Sequence, residues 1–389
     1  MALRRSDGAW WNDERYRRLL FQVLIIGVVG AILFYLGSNA VANLRRQGIV
    51  GGFGFVTHEA GFEISPTLVA YSPADSYARA LLVGLLNTLL VAAIGIVFAS
   101  LLGLVVGLAR LSRNWLVGRL ALAYVELMRN TPLVLQLFVW WNLLKISAPG
   151  PRQAWEVLPG IFVSNRGVAL PVPSYAPAHG WCLLALALGL ACSLLLARWA
   201  RRRRALTGKG FPTTRIGLAL TFLPPAMLFL ALGAPFSLDM PQLGTFNFSG
   251  GITVSPEFSA LVVGLVVYTA AFIGEIVRSG VEAVSRGQSE AARALGLRGA
   301  QVLRLVVLPQ AVRVIIPPLT SEYLNLAKNS TLAVTIGFFD YFSVANTMLN
   351  QTGQTIEAMA LIAAVYLSLS LGLSLLMNLY NRRMALVER

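Results

Sequence analysis

The stretch LLFQVLIIGVVGAILFYLG, residues 19–37, contains no charged residue. A helix needs about 20 predominantly apolar residues to cross a bilayer, so this run is predicted to span a membrane. It is longer than the apolar core of a signal peptide, and we therefore expect a retained span. The whole chain of 389 residues is 56% hydrophobic and 13% charged. Soluble domains carry roughly 25% charged residues, so the composition indicates an integral membrane protein.

Similar apolar runs recur and predict about eight transmembrane helices, so the predicted fold class is an all-α integral membrane protein. The predicted spans are 19–38, 80–108, 120–144, 180–198, 216–234, 258–280, 314–345 and 356–380. The seventh begins after Pro317 and Pro318 and is polar over SEYLNLAKNSTLAVT. Proline and polar groups at that depth are tolerated where neighbours or a cavity satisfy them, so we expect this span to face a pathway.

Basic residues concentrate at both termini and in the segments between alternate spans, including RRRR at 201–204. The positive-inside rule places these segments, and both termini, in the cytoplasm. The arginine run is expected to be an orientation anchor or a contact with anionic lipid. Segments 39–79, 145–179 and 235–257 are expected outside, as short loops or small surface helices. The net charge of +15 does not indicate nucleic-acid binding, because no basic stripe with interleaved aromatic residues occurs on a soluble domain.

Sequence signatures of catalysis are absent. The string LTGKGF at 206–211 lacks the upstream glycine and the following Ser or Thr of a phosphate-binding loop. Paired Cys or His at metal-ligand spacing and a G-x-S-x-G motif are also missing. We therefore expect this chain to have no catalytic residues, no metal site and no bound cofactor.

A charged amphipathic stretch lies at about 285–312, between apolar runs. Gly296 is predicted to end a first short helix that contains Glu290, since glycine is favoured just past a helix C-terminus. The following residues predict a second short helix closed by Pro309. Two such helices form a compact unit that can dock in a groove of another protein. An ordinary loop lying on the membrane fits the same pattern, and the physical argument leaves both interpretations open.

The spacing E-A-A-x3-G-x9-V-x-L-P, from Glu290 to Pro309, resembles the coupling motif in membrane subunits of bacterial ATP-binding-cassette importers. Four further strings are similar to the polar and general L-amino-acid uptake permeases: GLLNTLLVAAIG (84–95), VELMRNTPLVLQLF (125–138), GEIVRSGVEAVSRGQSEAARALG (274–296) and LNLAKNSTLAV (324–334). The resemblance implies a transmembrane domain at 80–385 with the five-helix type I importer core. It also implies two additions, an extra first span within 1–79 and an inserted two-span hairpin at about 180–234.

The resemblance implies a division of labour between this chain and several partners. A periplasmic binding protein delivers an L-amino acid, and this chain forms the path with a second, shorter permease subunit. Cytoplasmic ATPase subunits, which hold ATP and Mg²⁺, drive transport through the 285–312 segment. The residues expected to contact the ATPase are Ser289, Glu290, Ala291, Ala292, Arg293 and Gly296. The implied location is the bacterial inner membrane.

Polar residues inside spans are candidates for the substrate path. They are Thr131 and Gln136, with Pro132 able to break their helix, and Asn329, Ser330 and Thr331. Amide and hydroxyl groups near a helix break can bind the charged ends of an amino acid. Hydrogen bonding between helices explains such residues equally well.

Two pairs of opposite charge stand three residues apart, Glu126 with Arg129 and Glu275 with Arg278. Each pair is predicted to form a structural ion pair.

Two other functions remain open. An ion-coupled secondary amino-acid transporter needs intramembrane carboxylates, and those seen here have basic neighbours. A scaffold subunit of an importer that binds no substrate is the second alternative.

Overall fold

A computed structural model describes residues 14–46, 52–174, 176–208, 210–233 and 236–384. Twelve α-helices are found there: α1 (Glu14–Arg46), α2 (Tyr77–Arg110), α3 (Trp115–Asn130), α4 (Leu133–Trp141), α5 (Pro177–Thr207), α6 (Thr213–Ala231), α7 (Pro256–Glu282), α8 (Arg286–Ala294), α9 (Gly299–Val302), α10 (Leu308–Asn329), α11 (Tyr341–Thr352) and α12 (Thr355–Met384). The chain divides into two compact units, residues 1–131 with 265–389 and residues 132–264.

Within the described residues, seven helical segments are long and apolar enough to cross a membrane. They are Tyr16–Asn39, Tyr77–Arg110, Pro177–Thr207, Thr213–Ala231, Pro256–Glu282, Gly299–Ile336 and Thr355–Leu379. The predicted fold class, a helical membrane protein, is confirmed. The third predicted span, 120–144, is not among them: it is divided between α3 and a shorter apolar segment, Leu133–Ser147.

The break in the third predicted span lies at Thr131 and Pro132. Both residues have extended backbone torsions, with ψ of 125° and 134°. Pro132 lacks an N–H and its ring disfavours a helical residue before it, so α3 ends at Asn130. A π-helical turn, Asn142–Ser147, extends α4.

The seventh predicted span has the wrong limits. Helix α10 begins at Leu308 and contains Pro317 and Pro318 in its interior. It is followed by a 3₁₀ segment, Ser330–Ile336, which Gly337 ends with φ of +76°. Residues 341–352 form the separate helix α11. Prolines were therefore a poor boundary signal here, as in other membrane helices where packed neighbours compensate for the lost hydrogen bonds.

The segments expected to be loops at 145–179 and 235–257 contain β-structure instead. The strands are β1 (Trp155–Leu158), β2 (Ile161–Ser164), β3 (Gly167–Leu170), β4 (Val172–Pro173), β5 (Leu238–Asp239), β6 (Gln242–Leu243), β7 (Phe248–Ser249) and β8 (Ile252–Val254). A four-stranded antiparallel sheet has the order β1-β2-β3-β8, and β4-β5 and β6-β7 form two small ribbons. Strands β3 and β8 are separated in sequence by the hairpin α5–α6, which explains why neither segment showed the sheet by itself.

In the first unit, α2 packs along its length against α7, α10 and α11. Its first half contributes Ala80 and Val83 to a core cluster with Val344 and Met348 of α11. Further along, Ala92 and Ala99 pack with buried residues of α7 and α10: Ile273, Val277, Ala311, Ile315 and Leu326. The helix therefore packs against α10, which ends at the candidate path residue Asn329.

Candidate functional site

Helix α8 carries most of the predicted coupling motif, and a glycine ends it as predicted. Gly296 has φ of +82°, a conformation that glycine adopts without steric cost. Its N–H donates to Arg293 O at 2.9 Å, and Leu297 N–H donates to Ala292 O at 3.2 Å. These two bonds are the Schellman arrangement, which satisfies carbonyl groups left free at a helix C-terminus. The glycine of the motif thus sets the angle at which the chain leaves α8.

The second predicted helix does not end at Pro309. Arg298 begins α9, where Gln301 Oε1 accepts a hydrogen bond from Arg298 N–H at 2.8 Å. A π-helical turn, Leu303–Val307, then joins α9 to α10 without interruption. Pro309 stands in the first turn of α10, where its missing N–H costs little. The π turn is wider than an α-helical turn. It therefore keeps the Pro309 ring away from the backbone carbonyl group four residues earlier.

The side chains of α8 differ in exposure. Glu290, Ala291, Arg293 and Gly296 are exposed and Ser289 is half-buried, whereas Ala292 is only 5% exposed. Ala292 therefore contributes internal packing rather than a surface contact. Leu295 was not singled out from the sequence, yet 84% of its surface is exposed. An apolar side chain beside exposed charges is a common feature of docking surfaces.

An ion cluster lies at the adjoining ends of α2 and α7. Arg110 Nη2 contacts Glu275 Oε2 at 3.2 Å, and Arg278 pairs with both Glu275 and Glu282. The predicted pair of Glu275 and Arg278 is thus present within a larger cluster. The cluster therefore joins α2 to α7, and its last member, Glu282, lies four residues before the start of α8 at Arg286.

The other predicted pair, Glu126 with Arg129, is wrong. Glu126 Oε2 accepts a hydrogen bond from Asn130 Nδ2 at 3.1 Å. The Arg129 guanidinium lies over the Phe272 ring, 5.2 Å from its centroid, and interacts electrostatically with Glu322. A cation–π contact and a carboxylate on another helix have replaced the local partner.

Three predicted path residues follow one another at the end of α10 but face different surroundings. Asn329 is partly exposed, and its side chain makes no hydrogen bond within the described residues. Ser330 is fully buried and donates to Ala327 O at 2.9 Å. Thr331 is partly exposed and donates to Lys328 O at 2.8 Å. Asn329 alone of the three therefore offers an uncommitted polar group.

The remaining path candidates flank the break before α4. Thr131, at the end of α3, donates its hydroxyl to Leu127 O at 2.8 Å. Gln136 is 6% exposed, and its backbone N–H reaches Pro132 O at 3.3 Å. Gln136 belongs to the second unit and Thr131 to the first.

A buried polar cluster around Asp340 was missed. Asp340 is fully buried; its Oδ1 accepts from Ser343 N–H at 2.8 Å and its Oδ2 from the Tyr366 hydroxyl at 3.0 Å. The Tyr366 hydroxyl also interacts with Thr88 and Ser330. The cluster joins α2, α11, α12 and the 3₁₀ segment that begins at the predicted path. Its sequence signal was an Asp three residues before a Ser at a helix start, the pattern of an N-cap.

The buried side-chain amide of Asn87 extends the cluster. Asn87 donates to Phe339 O at 2.9 Å and to Pro66 O at 3.0 Å. Its Oδ1 is buried and accepts no hydrogen bond from the described residues. An orphaned acceptor of this kind is a usual position for an internal water.

Acidification is expected to stabilise the protein through Asp340. This residue lies between two spans, which end at Ile336 and begin at Thr355. Burial raises the pKa of the Asp340 carboxyl to about 6. The folded state then binds a proton more tightly than the unfolded chain, so stability is lost as pH rises through 6 and regained below it. Between pH 7.5 and 4.5 the gain is on the order of 2 kcal/mol.

The measurement is the thermal midpoint of the full chain in lipid nanodiscs at both pH values. Asp340→Asn should remove most of the pH dependence, because the amide does not titrate. Equal pH dependence of wild type and variant would contradict the assignment.

Groups of three or more His, Cys, Asp or Glu side chains arranged to hold a metal ion do not occur among the described residues. Helix α8 is an exposed helix closed by a glycine turn, and its geometry allows docking in a groove of another protein. It has no arrangement of nucleophile and base.

Comparison with known proteins gives one family and several similar permeases. The family described as binding-protein-dependent transport system inner membrane component matches residues 95–386. The chain is 46% identical to the General L-amino acid transport system permease protein AapQ of Rhizobium johnstonii, over 97% of this chain and 94% of that protein. It is 48% identical to the putative amino-acid ABC transporter permease protein YhdX of Escherichia coli, over 96% of this chain and 95% of that protein. It is 40% identical to the Glutamate/glutamine/aspartate/asparagine transport system permease protein BztB of Rhodobacter capsulatus, over 97% and 96%.

Proposed function

Because the chain belongs to the family of binding-protein-dependent transport system inner membrane components, we propose that it is the permease subunit of an ATP-driven importer of L-amino acids. The matched residues include α8, α10, α11 and α12. The full-length similarity to three amino-acid permeases supports the substrate class. The single observation that carries the coupling mechanism is α8, an exposed helix whose exit is fixed by Gly296.

Separate cytoplasmic ATPase subunits, with ATP and Mg²⁺ bound to them, drive the cycle. Glu290 and Arg293 supply polar contacts to the ATPase, and Leu295 inserts as an apolar anchor. The ATPase must interact differently with the inward- and outward-facing states, since equal interaction would shift neither. Helix α8 contacts α9 and the π turn Leu303–Val307, which continues into α10, so movement of α8 is carried to this membrane helix.

The 285–312 segment and both termini face the cytoplasm in this proposal, which the distribution of basic residues supports. The sheet β1-β2-β3-β8 then lies on the periplasmic side, where a binding protein delivers the amino acid. A second, different and shorter permease subunit completes the path. The extra span α1 and the hairpin α5–α6, which shorter permeases lack, support a heteromeric pair.

Asn329 is the first substrate contact we propose, with Thr131 and Thr331 as further candidates in the same unit. Gln136, in the second unit, is a separate candidate. Ser330 stabilises the path by packing behind it, because its side chain is buried among residues of α10 and α12. An amide at the end of α10 presents both a donor and an acceptor to the ammonium and carboxylate of an amino acid.

Asn329→Ala is expected to raise the KM of amino-acid uptake about tenfold or more, since a hydrogen bond to a charged group contributes roughly 1.5–3 kcal/mol. The assay is ATP-dependent uptake by proteoliposomes with the complete complex and binding protein. Thr335→Ala, at an exposed position of the 3₁₀ segment that follows Asn329, is the matched control and should leave KM unchanged. An unchanged KM in Asn329→Ala would instead favour a subunit that binds no substrate.

Asp340 gives specific support to a second candidate, an ion-coupled transporter. It is a buried carboxylate that no arginine or lysine pairs with among the described residues. Uptake driven by a proton or sodium gradient in vesicles without ATP would establish this alternative. Uptake that requires ATP and persists after the gradients are collapsed would exclude it.

A further inference from the structure

The turn between α5 and α6 carries a dense group of arginines. Arg198 and the run Arg201–Arg204 stand in the last turns of α5, which ends at Thr207 before Gly208. Arg215 follows in the first turn of α6. The side chains of 201–204 are exposed. This end of the hairpin is opposite to the end where the strands β4 and β5 attach.

A cleft of about 360 Å³ separates two of these arginines from the start of α6. Its walls and floor are formed by Ala197, Ala200, Arg201, Arg204, Phe211 and Thr213. Arg201 Nε donates to Ala197 O at 3.2 Å, which leaves its terminal nitrogens free for another group. Two arginines and a threonine therefore line one small cavity.

A third arginine of the run has a different role. The Arg203 guanidinium lies 5.3 Å from the Trp199 ring centroid and 5.9 Å from that of Phe211. Trp199 and Phe211 are themselves perpendicular, with centroids 5.5 Å apart. This cluster joins the end of α5 to the α5–α6 turn, and its Phe211 also lines the cleft. Arg202 and Arg198 do not line the cleft.

No carboxylate neutralises the group within its unit. Residues 132–264 contain three acidic side chains, Glu156, Asp239 and Glu257. Each has a partner elsewhere in the unit: Gly160 N–H, Gly251 N–H and Lys145. The arginines at the hairpin end thus form an uncompensated cationic patch that attracts an anion.

The depth of the cleft identifies the anion. The apolar part of α5, from Trp181 to Ala197, is about 25 Å long at 1.5 Å per residue. The hydrocarbon core of a bilayer is about 30 Å thick, so the residues that follow Ala197 reach the headgroups. Trp199 beside them is typical of that boundary. Lipid phosphate is the abundant anion at this depth, and a guanidinium binds phosphate with two parallel hydrogen bonds.

We propose that this cleft binds the phosphate of an anionic phospholipid between Arg201 and Arg204, with the Thr213 hydroxyl as a third donor. Stabilisation of the α5 C-terminus by its arginines would involve all four residues of the run alike. Such stabilisation does not explain why Arg201 and Arg204 line a cavity while Arg203 stacks on aromatic rings. The proposed site is independent of the transport mechanism.

The test uses the full chain in nanodiscs of phosphatidylcholine with titrated phosphatidylglycerol, and native mass spectrometry counts retained phosphatidylglycerol. Arg201→Ala/Arg204→Ala removes two charges from the cleft. Arg198→Ala/Arg202→Ala removes the same charge from the same helix outside the cleft. Each cleft arginine is expected to contribute about fivefold to affinity, so the cleft variant should bind at least about tenfold more weakly. The matched variant should bind nearly as the wild type does.

Equal losses in the two variants would overturn the proposal, because they would indicate a diffuse basic surface. Unchanged retention in both would overturn it as well, and would assign the arginines to a protein partner. Soluble glycerol phosphate should displace little phosphatidylglycerol, and efficient displacement would show a site for free phosphate instead. Circular dichroism and size exclusion confirm that each variant remains folded.

Discussion

Substitution of leucine for Gly107 is expected to prevent α2 from packing against α7 and to leave little folded protein. A Cβ at Gly107 would lie 2.6 Å from Val277 Cβ and 2.8 Å from Gly274 O. Four residues earlier, a Cβ at Gly103 would lie 2.6 Å from Ile273 Cβ. The two positions form a G-x-x-x-G surface, which allows the backbones of membrane helices to approach closely. Neither the α7 backbone nor its β-branched side chains can move aside without separating the helices.

Overpacking of a core usually costs about 1–3 kcal/mol, and this site is expected at or above the upper limit because the clash includes backbone. The measurement is the fraction of folded, monodisperse protein after extraction, together with its thermal midpoint. Gly372→Leu in α12 is the control, since nothing lies within 4 Å of a Cβ there. A Gly107→Leu protein as stable as the Gly372→Leu protein would contradict the packing described for α2 and α7.

The helical, membrane-spanning fold could be predicted because it depends on local composition. A charge-free run such as 19–37 has few alternatives to a spanning helix, and Pro132 broke the third span as its covalent geometry requires. Pro309 and Pro317 both predicted a helix boundary that the structure does not have. Their effect depends on a π turn and on packed neighbours, which a single sequence does not display.

Parts of the structure that depend on residues distant in sequence could not be predicted. Strands β3 and β8 are only three or four residues long and pair across the α5–α6 hairpin. The Asp340 cluster joins side chains from four elements, although its N-cap pattern was visible. The end of α8 was more predictable, because Gly296 ends the helix through hydrogen bonds that reach only a few residues back along the chain.

Removal of Glu290 and Arg293 together is expected to abolish coupling between α8 and the ATPase. Both side chains are exposed and stand three residues apart on one face of α8, so their loss should not unfold the segment. A charged contact that becomes desolvated at an interface typically contributes about 2–5 kcal/mol when truncated. We therefore expect stimulated ATP hydrolysis to fall by at least about tenfold. Gln288→Ala/Arg304→Ala, which changes one polar and one charged exposed residue outside 289–296, is the control and should retain most of the stimulation.

Stimulation of ATP hydrolysis by the loaded binding protein, in the reconstituted complex, is the most direct test of α8 as the coupling element. The predicted result for Glu290→Ala/Arg293→Ala is a folded membrane subunit whose ATPase is no longer stimulated, or no longer assembles, while the control pair behaves as wild type. An assembled double variant with fully stimulated hydrolysis would contradict the coupling role of α8.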